Sequence, residues 1–178
     1  MLFGVSGIYF VTHRRRSNRM LKLLIKWLST SEPSKKFRAE LDLMFWGTQH
    51  SRFIRKRFQR RIFYVYNCDV SHLADIHPTV LFPHPCGIVI GSQAKVEKGC
   101  RIYQQVTIGS NFDSDNSMAH VLENTYIGSG AKIIGGISIG KNCYVGANAV
   151  ITKNVADNSS IVGNNKSITA RKPQIEKE

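Results

Sequence analysis

The stretch IGSGAKIIGGISIGKNCYVGANAVI, residues 127–151, decides the fold. An aliphatic residue returns at every sixth position, and a small or apolar residue follows four places later: Ile127, Ile133, Ile139, Val145 and Ile151, with Ala131, Ile137, Cys143 and Ala149. This period matches neither an amphipathic helix nor a simple strand, which repeat at about 3.6 and 2 residues. It is typical of a left-handed parallel β-helix, in which three hexads, about 18 residues, make one triangular coil. We therefore predict a mainly β protein with these side chains pointing inward.

The repeat also runs upstream. Aliphatic or aromatic positions with their smaller partners extend it in two registers separated by a slip of two residues: Val70, Ile76, Phe82 and Ile88 with Ala74, Val80 and Cys86, then Ile90, Val96, Ile102 and Ile108 with Ala94, Cys100 and Val106. Cys68, Cys86, Cys100 and Cys143 all fall at small inward positions, and free cysteine behaves as a small buried hydrophobe. Because no C-x-x-C pair exists, we expect neither a zinc site nor a disulfide framework, and hence a reducing compartment.

One polar segment interrupts the repeat. The residues GSNFDSDNSMAH, 109–120, carry no hexad pattern, which restarts at Val121. Long loops in a compact repeat are usually functional or disordered, and a histidine ends this one. We therefore divide the chain into a basic helical segment over residues 1–63, a β-helix domain over 64–166 with an ejected functional loop at 109–120, and a tail over 167–178.

Positive charge is concentrated before the β-helix. Residues 1–67 hold 15 Lys and Arg against 3 Asp and Glu, so they carry a net charge of +12, and the rest of the chain carries +1. Apolar periodicity predicts helices at Met20–Leu28, Ser34–Trp46 and Phe53–Tyr66. The β-helix is therefore preceded by short basic α-helices.

Several interpretations of this basic segment stay open. It could cap the open end of the β-helix, lie on an anionic membrane surface, or steer a phosphorylated substrate. Nucleic-acid binding is disfavoured because no recognised motif accompanies the charge. The opening MLFGVSGIYFVT is too short to span a bilayer and lacks a basic region before it, so we expect no cleaved signal peptide. We expect a cytoplasmic protein, with the inner face of the membrane as its contact surface if the helices bind lipid.

His84, in FPHPCGIVIG, is the strongest candidate for chemistry. It stands two places after inward-pointing Phe82, so it should face outward at a coil corner between two prolines. The pKa of histidine as a residue type suits a general base near neutral pH. Such a base benefits from a carboxylate at its other ring nitrogen. Asp69, 15 residues earlier, lies a little under one coil away, whereas Asp75 would lie on a different side.

The segment YNCDVSHLADIHPTVLFPHPCGIVIG, then VTIG, a polar loop and IGSGAKIIGGISIG, resembles the serine acetyltransferase family. It is most similar to the shorter relatives that O-acetylate sugars in surface polysaccharide synthesis. The resemblance covers residues 65–166. It implies an acetyl-CoA-dependent O-acetyltransferase, a homotrimer with the cofactor between neighbouring coils, and a histidine base that deprotonates the acceptor hydroxyl.

By position, the resemblance assigns His84 as the catalytic histidine and Asp69 as its partner. It assigns the cofactor contacts to Ser129, Ala147, Thr152 and Lys153, with Lys166 or Arg171 near the phosphates. Ser129 and Ala147 could equally be ordinary small residues at tight corners. No metal is implied.

Three departures from the family favour a sugar hydroxyl over L-serine as acceptor. Pro83 stands where serine acetyltransferases have an aspartate before the catalytic histidine. The loop ends in Met118-Ala119-His120-Val121 rather than Arg-His-Pro, so His120 lies about two places from the family's second histidine, although it could still line the site. The N-terminal region is about half the length expected of that family. We expect a sugar or surface polysaccharide acceptor, with serine O-acetylation as the alternative.

Two other classes compete with this interpretation. Some left-handed β-helices are zinc carbonic anhydrases that use three histidines, but no histidine follows His120 within residues 121–130. A non-catalytic scaffold would leave His84 and the loop without a role. It predicts that the chain does not bind acetyl-CoA.

Overall fold

The computed structural model describes residues 6–112 and 116–168, and in residues 6–17 the backbone alone. Arg171 and most of the predicted tail lie outside these ranges. Three helices come first: α1 (Ser6–Ser29), α2 (Pro33–His50) and α3 (Arg52–Tyr66). The first is much longer than the predicted Met20–Leu28. Pro33 opens α2, because proline lacks the backbone N–H that a first helical residue does not need.

The rest of the described chain is a left-handed parallel β-helix, as predicted. Its short strands stack into three sheets, which we name faces A, B and C. Face A holds β1 (Asp69–Val70), β3 (Val89–Ile90), β6 (Thr107–Gly109), β9 (Lys132–Ile134) and β12 (Val150–Ile151). Face B holds β2 (Asp75–Ile76), β4 (Lys95–Val96), β7 (His120–Val121) and β10 (Ser138–Ile139). Face C holds β5 (Arg101–Ile102), β8 (Tyr126–Ile127), β11 (Tyr144–Val145), β13 (Ser160–Val162) and the antiparallel β14 (Lys166–Ile168).

The hexad positions form the core. Every aliphatic position of residues 127–151 is buried, as are the upstream positions in both registers. Ile137 is only partly buried, and Cys86 is exposed. The prediction for Cys86 was wrong because the register slip turns the chain outward there, while Pro85, Ile88 and Ile90 fill the interior. The other three cysteines are buried as predicted.

Helices α2 and α3 close the first coil. The ring of Phe37 on α2 lies 5.1 Å from that of Phe82 and 5.0 Å from that of Tyr66, both edge to face. The guanidinium of Arg38 donates to the carbonyl of His77 at 3.4 Å. The buried apolar residues of these helices join the β-helix core in one cluster. Helices α2 and α3 of the basic segment therefore cover the open end of the coil.

Coil corners use residues that tolerate a left-handed backbone. At the corner that leads from face C to face A, positive φ angles recur in successive coils at Gly87, Gln105, Gly130 and Asn148. The backbone N–H of Gln105 donates to the carbonyl of Cys86, that of Gly130 to Gln104, and that of Asn148 to Ser129. We call this column the C–A edge, and the corner that leads from face A to face B the A–B edge. The loop leaves the β-helix at the A–B edge, between β6 and β7.

Candidate active site

His84 lies at the first turn of the C–A edge. Its side chain is exposed, as predicted, and its carbonyl accepts from the backbone N–H of Cys86 at 2.9 Å. Pro85 beside it is buried. The chain just after His84 is anchored on α3, because the backbone N–H of Gly87 donates to the carbonyl of Tyr66 at 3.3 Å. The segment around His84 is therefore held from both sides while its imidazole stays accessible.

A column of tyrosines runs along face C from His84. The His84 ring meets that of Tyr103 edge to face at 5.9 Å, Tyr103 lies 4.8 Å from Tyr126, and Tyr126 stacks on Tyr144 at 4.7 Å. Burial raises the pKa of Tyr126 to about 12, and the neighbouring Tyr103 adds to this. All three phenols therefore form a polar, aromatic wall beside the histidine. The hexad pattern describes inward positions only and did not predict this wall, although Tyr126 and Tyr144 each stand directly before an inward aliphatic residue.

Asp69 lies on β1, the first strand of face A. Its backbone N–H donates to the carbonyl of Ile88 at 2.8 Å, and it pairs in register with Val89, five residues after His84. Asp75 lies on face B instead, as expected. Within the described ranges, no hydrogen bond or ion pair joins the Asp69 carboxylate to His84. The structure places the two predicted partners on adjacent coils and leaves the contact between them unformed.

Ser129 and Ala147 stack on the C–A edge. The Ser129 carbonyl accepts from the N–H of Asn148 at 2.8 Å, which joins the two turns directly. A Cβ added to Gly128 would lie 2.8 Å from the backbone nitrogen of Ala147, so only glycine fits before Ser129. His84, Ser129 and Ala147 therefore share one edge at three different heights. The small residues here also satisfy the packing of a tight corner.

His120 lies away from the C–A edge, on face B. It is the first residue of β7 on face B, and its Nε2 lies 2.8 Å from Oε1 of Glu97. These two residues line a groove of about 440 Å³ together with Asp75, His77 and Lys95. His120 thus has the oriented carboxylate partner that His84 lacks. A spacing of about 18 residues per coil did not predict Glu97 as the partner of His120. The inserted loop lengthens the separation of these two residues in sequence to 23 positions.

The remaining predicted cofactor contacts follow the last coil. Thr152 ends face A at the A–B edge, where its backbone N–H donates to Oδ1 of Asn165 at 2.8 Å. Lys153 is exposed beside it, and exposed Lys166 opens β14 on face C. The structure therefore distributes the predicted cofactor residues over both edges. Across residues 6–112 and 116–168, no cluster of three or more His, Cys, Asp and Glu side chains could hold a metal ion.

The architecture defines a hexapeptide-repeat β-helix with one exposed histidine at the C–A edge and a second, partly exposed one on face B. Residues 118–153 match the family model described as bacterial transferase hexapeptide (six repeats). The chain is similar to serine acetyltransferases. A curated serine acetyltransferase of Buchnera aphidicola subsp. Schizaphis graminum is 34% identical over 107 residues, which are 59% of this chain and 41% of that protein.

Solved structures give the same likeness. A truncated serine acetyltransferase apoenzyme superposes with a TM-score of 0.69 at 27% identity, covering 76% of this chain and 57% of the other. A serine acetyltransferase in complex with CoA gives a TM-score of 0.64 at 27% identity, covering 76% of this chain and 56% of that one. The chain thus spans about two fifths of the length of the curated relative and little more than half of these structures.

These comparisons bear on the predicted relationship. The resemblance to serine acetyltransferases is supported, whereas the closer relationship to sugar O-acetyltransferases is not.

Proposed function

We propose that the protein is an O-acetyltransferase that moves the acetyl group of acetyl-CoA to a hydroxyl acceptor. The observation that carries this proposal is the exposed imidazole of His84, on the same edge of the β-helix as Ser129 and Ala147. The likeness to a serine acetyltransferase solved in complex with CoA supports the choice of donor. A pure scaffold would require none of these placements.

In the proposed reaction, the neutral His84 imidazole takes the proton of the acceptor hydroxyl. The hydroxyl oxygen then attacks the thioester carbonyl, the carbon–sulfur bond breaks, and the CoA thiolate takes the proton back from the imidazolium. Asp69 would stabilise the imidazolium if its carboxylate turned toward the ring from the adjacent coil. Ser129, Ala147, Thr152 and the cationic Lys153 and Lys166 are the residues that we propose to hold the cofactor.

L-serine is the acceptor that the similar proteins support best. A sugar hydroxyl is the second candidate, and it rests on Pro83, which offers neither charge nor a donor for an amino-acid substrate directly before His84. An acceptor screen therefore belongs in the first experiment.

We also propose that the working unit is a homotrimer. Face A separates the C–A edge, with His84, from the A–B edge, with Thr152 and Lys153, and His120 lies beyond that edge on face B. A single convex coil cannot fold one edge over the other, so a site that uses both must combine edges of neighbouring copies. Light scattering of the purified protein checks this, because a monomer that is fully active would contradict it.

Contact with an anionic membrane is a further proposal, supported by α1. Leu21, Ile25 and Leu28 are each more than half exposed on one side of this helix, and Lys22 is exposed beside them. Such a face suits the interface of an anionic bilayer. Among the described residues, no helix is long and apolar enough to cross a membrane. Sedimentation with vesicles of anionic or neutral lipid tests this contact. The proposal requires the protein to bind the anionic vesicles and not the neutral ones.

The decisive test of the activity measures CoA release with L-serine, free sugars and sugar phosphates as acceptors. We expect His84→Ala to lower kcat by about 100-fold to 10,000-fold, the usual contribution of a general base. His50→Ala, at an exposed histidine on α2, should leave the rate unchanged. If His84→Ala remains fully active while His120→Ala is inactive, the base is His120 with Glu97. If the wild type releases no CoA with any acceptor, the proposed activity is refuted.

A further inference from the structure

A groove lies between helix α3 and the first strand of the β-helix. It has a volume of about 300 Å³ and is lined by Lys56, Gln59, Arg60, Phe63, Tyr64 and Asp69. The five helical members fall at positions 56, 59, 60, 63 and 64, an i, i+3, i+4, i+7, i+8 spacing that places them on one side of α3. This volume is at the lower end of small-molecule sites, which suits a compact ligand or one part of a larger ligand.

The groove carries positive charge that the fold does not use. Lys56 and Arg60 are exposed, and among the described residues neither has an ion pair or hydrogen-bond partner. By contrast, neighbouring Arg61 turns inward to Glu40, with its Nη2 at 3.0 Å from Oε1. The one carboxylate in the groove belongs to Asp69. Two cations against one carboxylate leave a net charge of +1 facing the open side.

The groove adjoins the segment that carries His84. Asp69, at its edge, donates its backbone N–H to Ile88, and Gly87 donates its N–H to Tyr66 at the end of α3. The Ile88 carbonyl and the Gly87 N–H, one partner of each bond, both belong to the segment that follows His84. Phe63 and Tyr64 add two rings in edge-to-face contact at 5.3 Å, 49% and 80% exposed. An acceptor bound there would enter the proposed reaction centre from the helical side.

We propose that this groove binds the negatively charged group of the acyl acceptor, with Lys56 and Arg60 as its ligands. The inference rests on the proposed acetyltransferase function and narrows the acceptor to a hydroxyl compound that bears an oxyanion. Arginine and lysine both donate charge-assisted hydrogen bonds to carboxylate and phosphate, and Gln59 offers a neutral donor between them. The carboxylate of L-serine and the phosphate of a sugar phosphate share this chemistry, whereas a neutral sugar does not.

The test compares a double variant of the full-length protein with a control of equal charge. Lys56→Gln with Arg60→Gln removes both cations, while Arg52→Gln with Arg57→Gln removes two exposed cations of α3 outside the groove. Steady-state rates are measured with L-serine, glucose 1-phosphate and methyl glucoside. We expect the groove variant to raise KM for the accepted anion about tenfold or more, with kcat and KM for acetyl-CoA unchanged. The control should stay within about twofold of the wild type.

The acceptor arms identify the source of the anion. If the KM effect appears with L-serine, the groove holds a carboxylate, and if it appears with glucose 1-phosphate, it holds a phosphate. An unchanged KM for every anionic acceptor, an equal effect in the control, or a preference for methyl glucoside would overturn the proposal. A raised KM for acetyl-CoA alone would also overturn it, because the groove would then serve the cofactor phosphates.

Calorimetry without acetyl-CoA separates this inference from the proposed function. Binding of L-serine or glucose 1-phosphate that is lost in the groove variant and kept in the control supports the groove even if no acetyl transfer is found. Turnover with equal anion binding in both variants refutes the groove and leaves the transferase standing. Thermal unfolding of both variants confirms that the exposed substitutions keep the fold.

Discussion

Arg61 and Glu40 form an ion pair whose two members should respond unequally to mutation. The Glu40 side chain is fully buried, and its Oε1 accepts from Arg61 Nε at 3.0 Å and from Trp27 Nε1 at 2.9 Å. Its second oxygen is buried without a partner. Arg61→Met therefore leaves a carboxylate in the interior with one indole donor. Removing one member of a buried pair usually lowers the free energy of unfolding by about 3–5 kcal/mol, and we expect this range.

The reverse substitution should cost less. After Glu40→Met the Arg61 guanidinium, whose side chain is 28% exposed, can turn to water, and the main unsatisfied group is the Trp27 indole N–H. A buried donor without a partner costs about 1–3 kcal/mol. The double variant removes both charges and the unpartnered oxygen, so it should be more stable than Arg61→Met alone. A coupling of this sign is expected when two groups meet directly.

Urea unfolding followed by far-ultraviolet circular dichroism measures these differences as shifts of the midpoint at constant slope. Arg57→Met, on the exposed side of α3, serves as the control and should change stability by less than about 0.5 kcal/mol. Glu40→Met costing more than Arg61→Met, or a double variant equal to the sum of the single ones, would refute the reasoning. Either result would mean that Glu40 is not the buried charge whose compensation holds α1, α2 and α3 together.

Two further predictions concern ionisable side chains. Cys86 is the one exposed cysteine, so a thiol reagent should label one cysteine quickly in the native protein and all four after unfolding. The variant Cys86→Ser should lose the fast labelling phase. Fast labelling of two or more thiols in the native protein would contradict the structure. Burial raises the pKa of Cys68 and Cys100 to about 11 and that of Tyr66 and Tyr126 to about 12, from ordinary values of 9.0 and 10.0. The unfolded chain therefore loses these protons first, so stability should fall as pH rises above about 9; equal urea midpoints at about pH 8 and about pH 10.5 would contradict this.

Hexad periodicity predicted most of the fold because burial in a β-helix depends on position alone. Ile127, Ile133 and Ile139 are each completely buried, since every coil must fill the same triangular interior. The rule failed at Cys86, where the chain adds two residues to one corner and leaves the repeating geometry. The hexad period also could not predict that α1 begins at Ser6, because a helix that precedes the coil does not follow the six-residue repeat.

Predicting the candidate site depended on whether its residues kept the coil spacing. Asp69 and Asp75 were correctly assigned to different faces, because no insertion interrupts the hexads of the first coil, where both residues lie. His120 and Glu97 form the best oriented histidine–carboxylate pair of the described chain, yet an inserted loop separates them in sequence. Likewise, Lys56 and Arg60 of α3 share a groove with Asp69 because the helix docks there, which no repeat within the β-helix could reveal.

The spacing of coils sets a length scale for the proposed cofactor. Ser129 lies two turns above His84 on the C–A edge and Ala147 lies three turns above it, and neighbouring strands are about 4.8 Å apart. A ligand that contacts both small residues and also reaches the histidine must therefore extend about 14 Å along the edge. This requirement suits a long thioester-bearing arm, with its charged end toward Lys166 in the last coil and, in the proposed trimer, toward Lys153 of a neighbouring copy. The acceptor would then approach from the opposite direction, where α3 and Asp69 form the cationic groove, so that the two substrates meet at His84 without competing for the same surface.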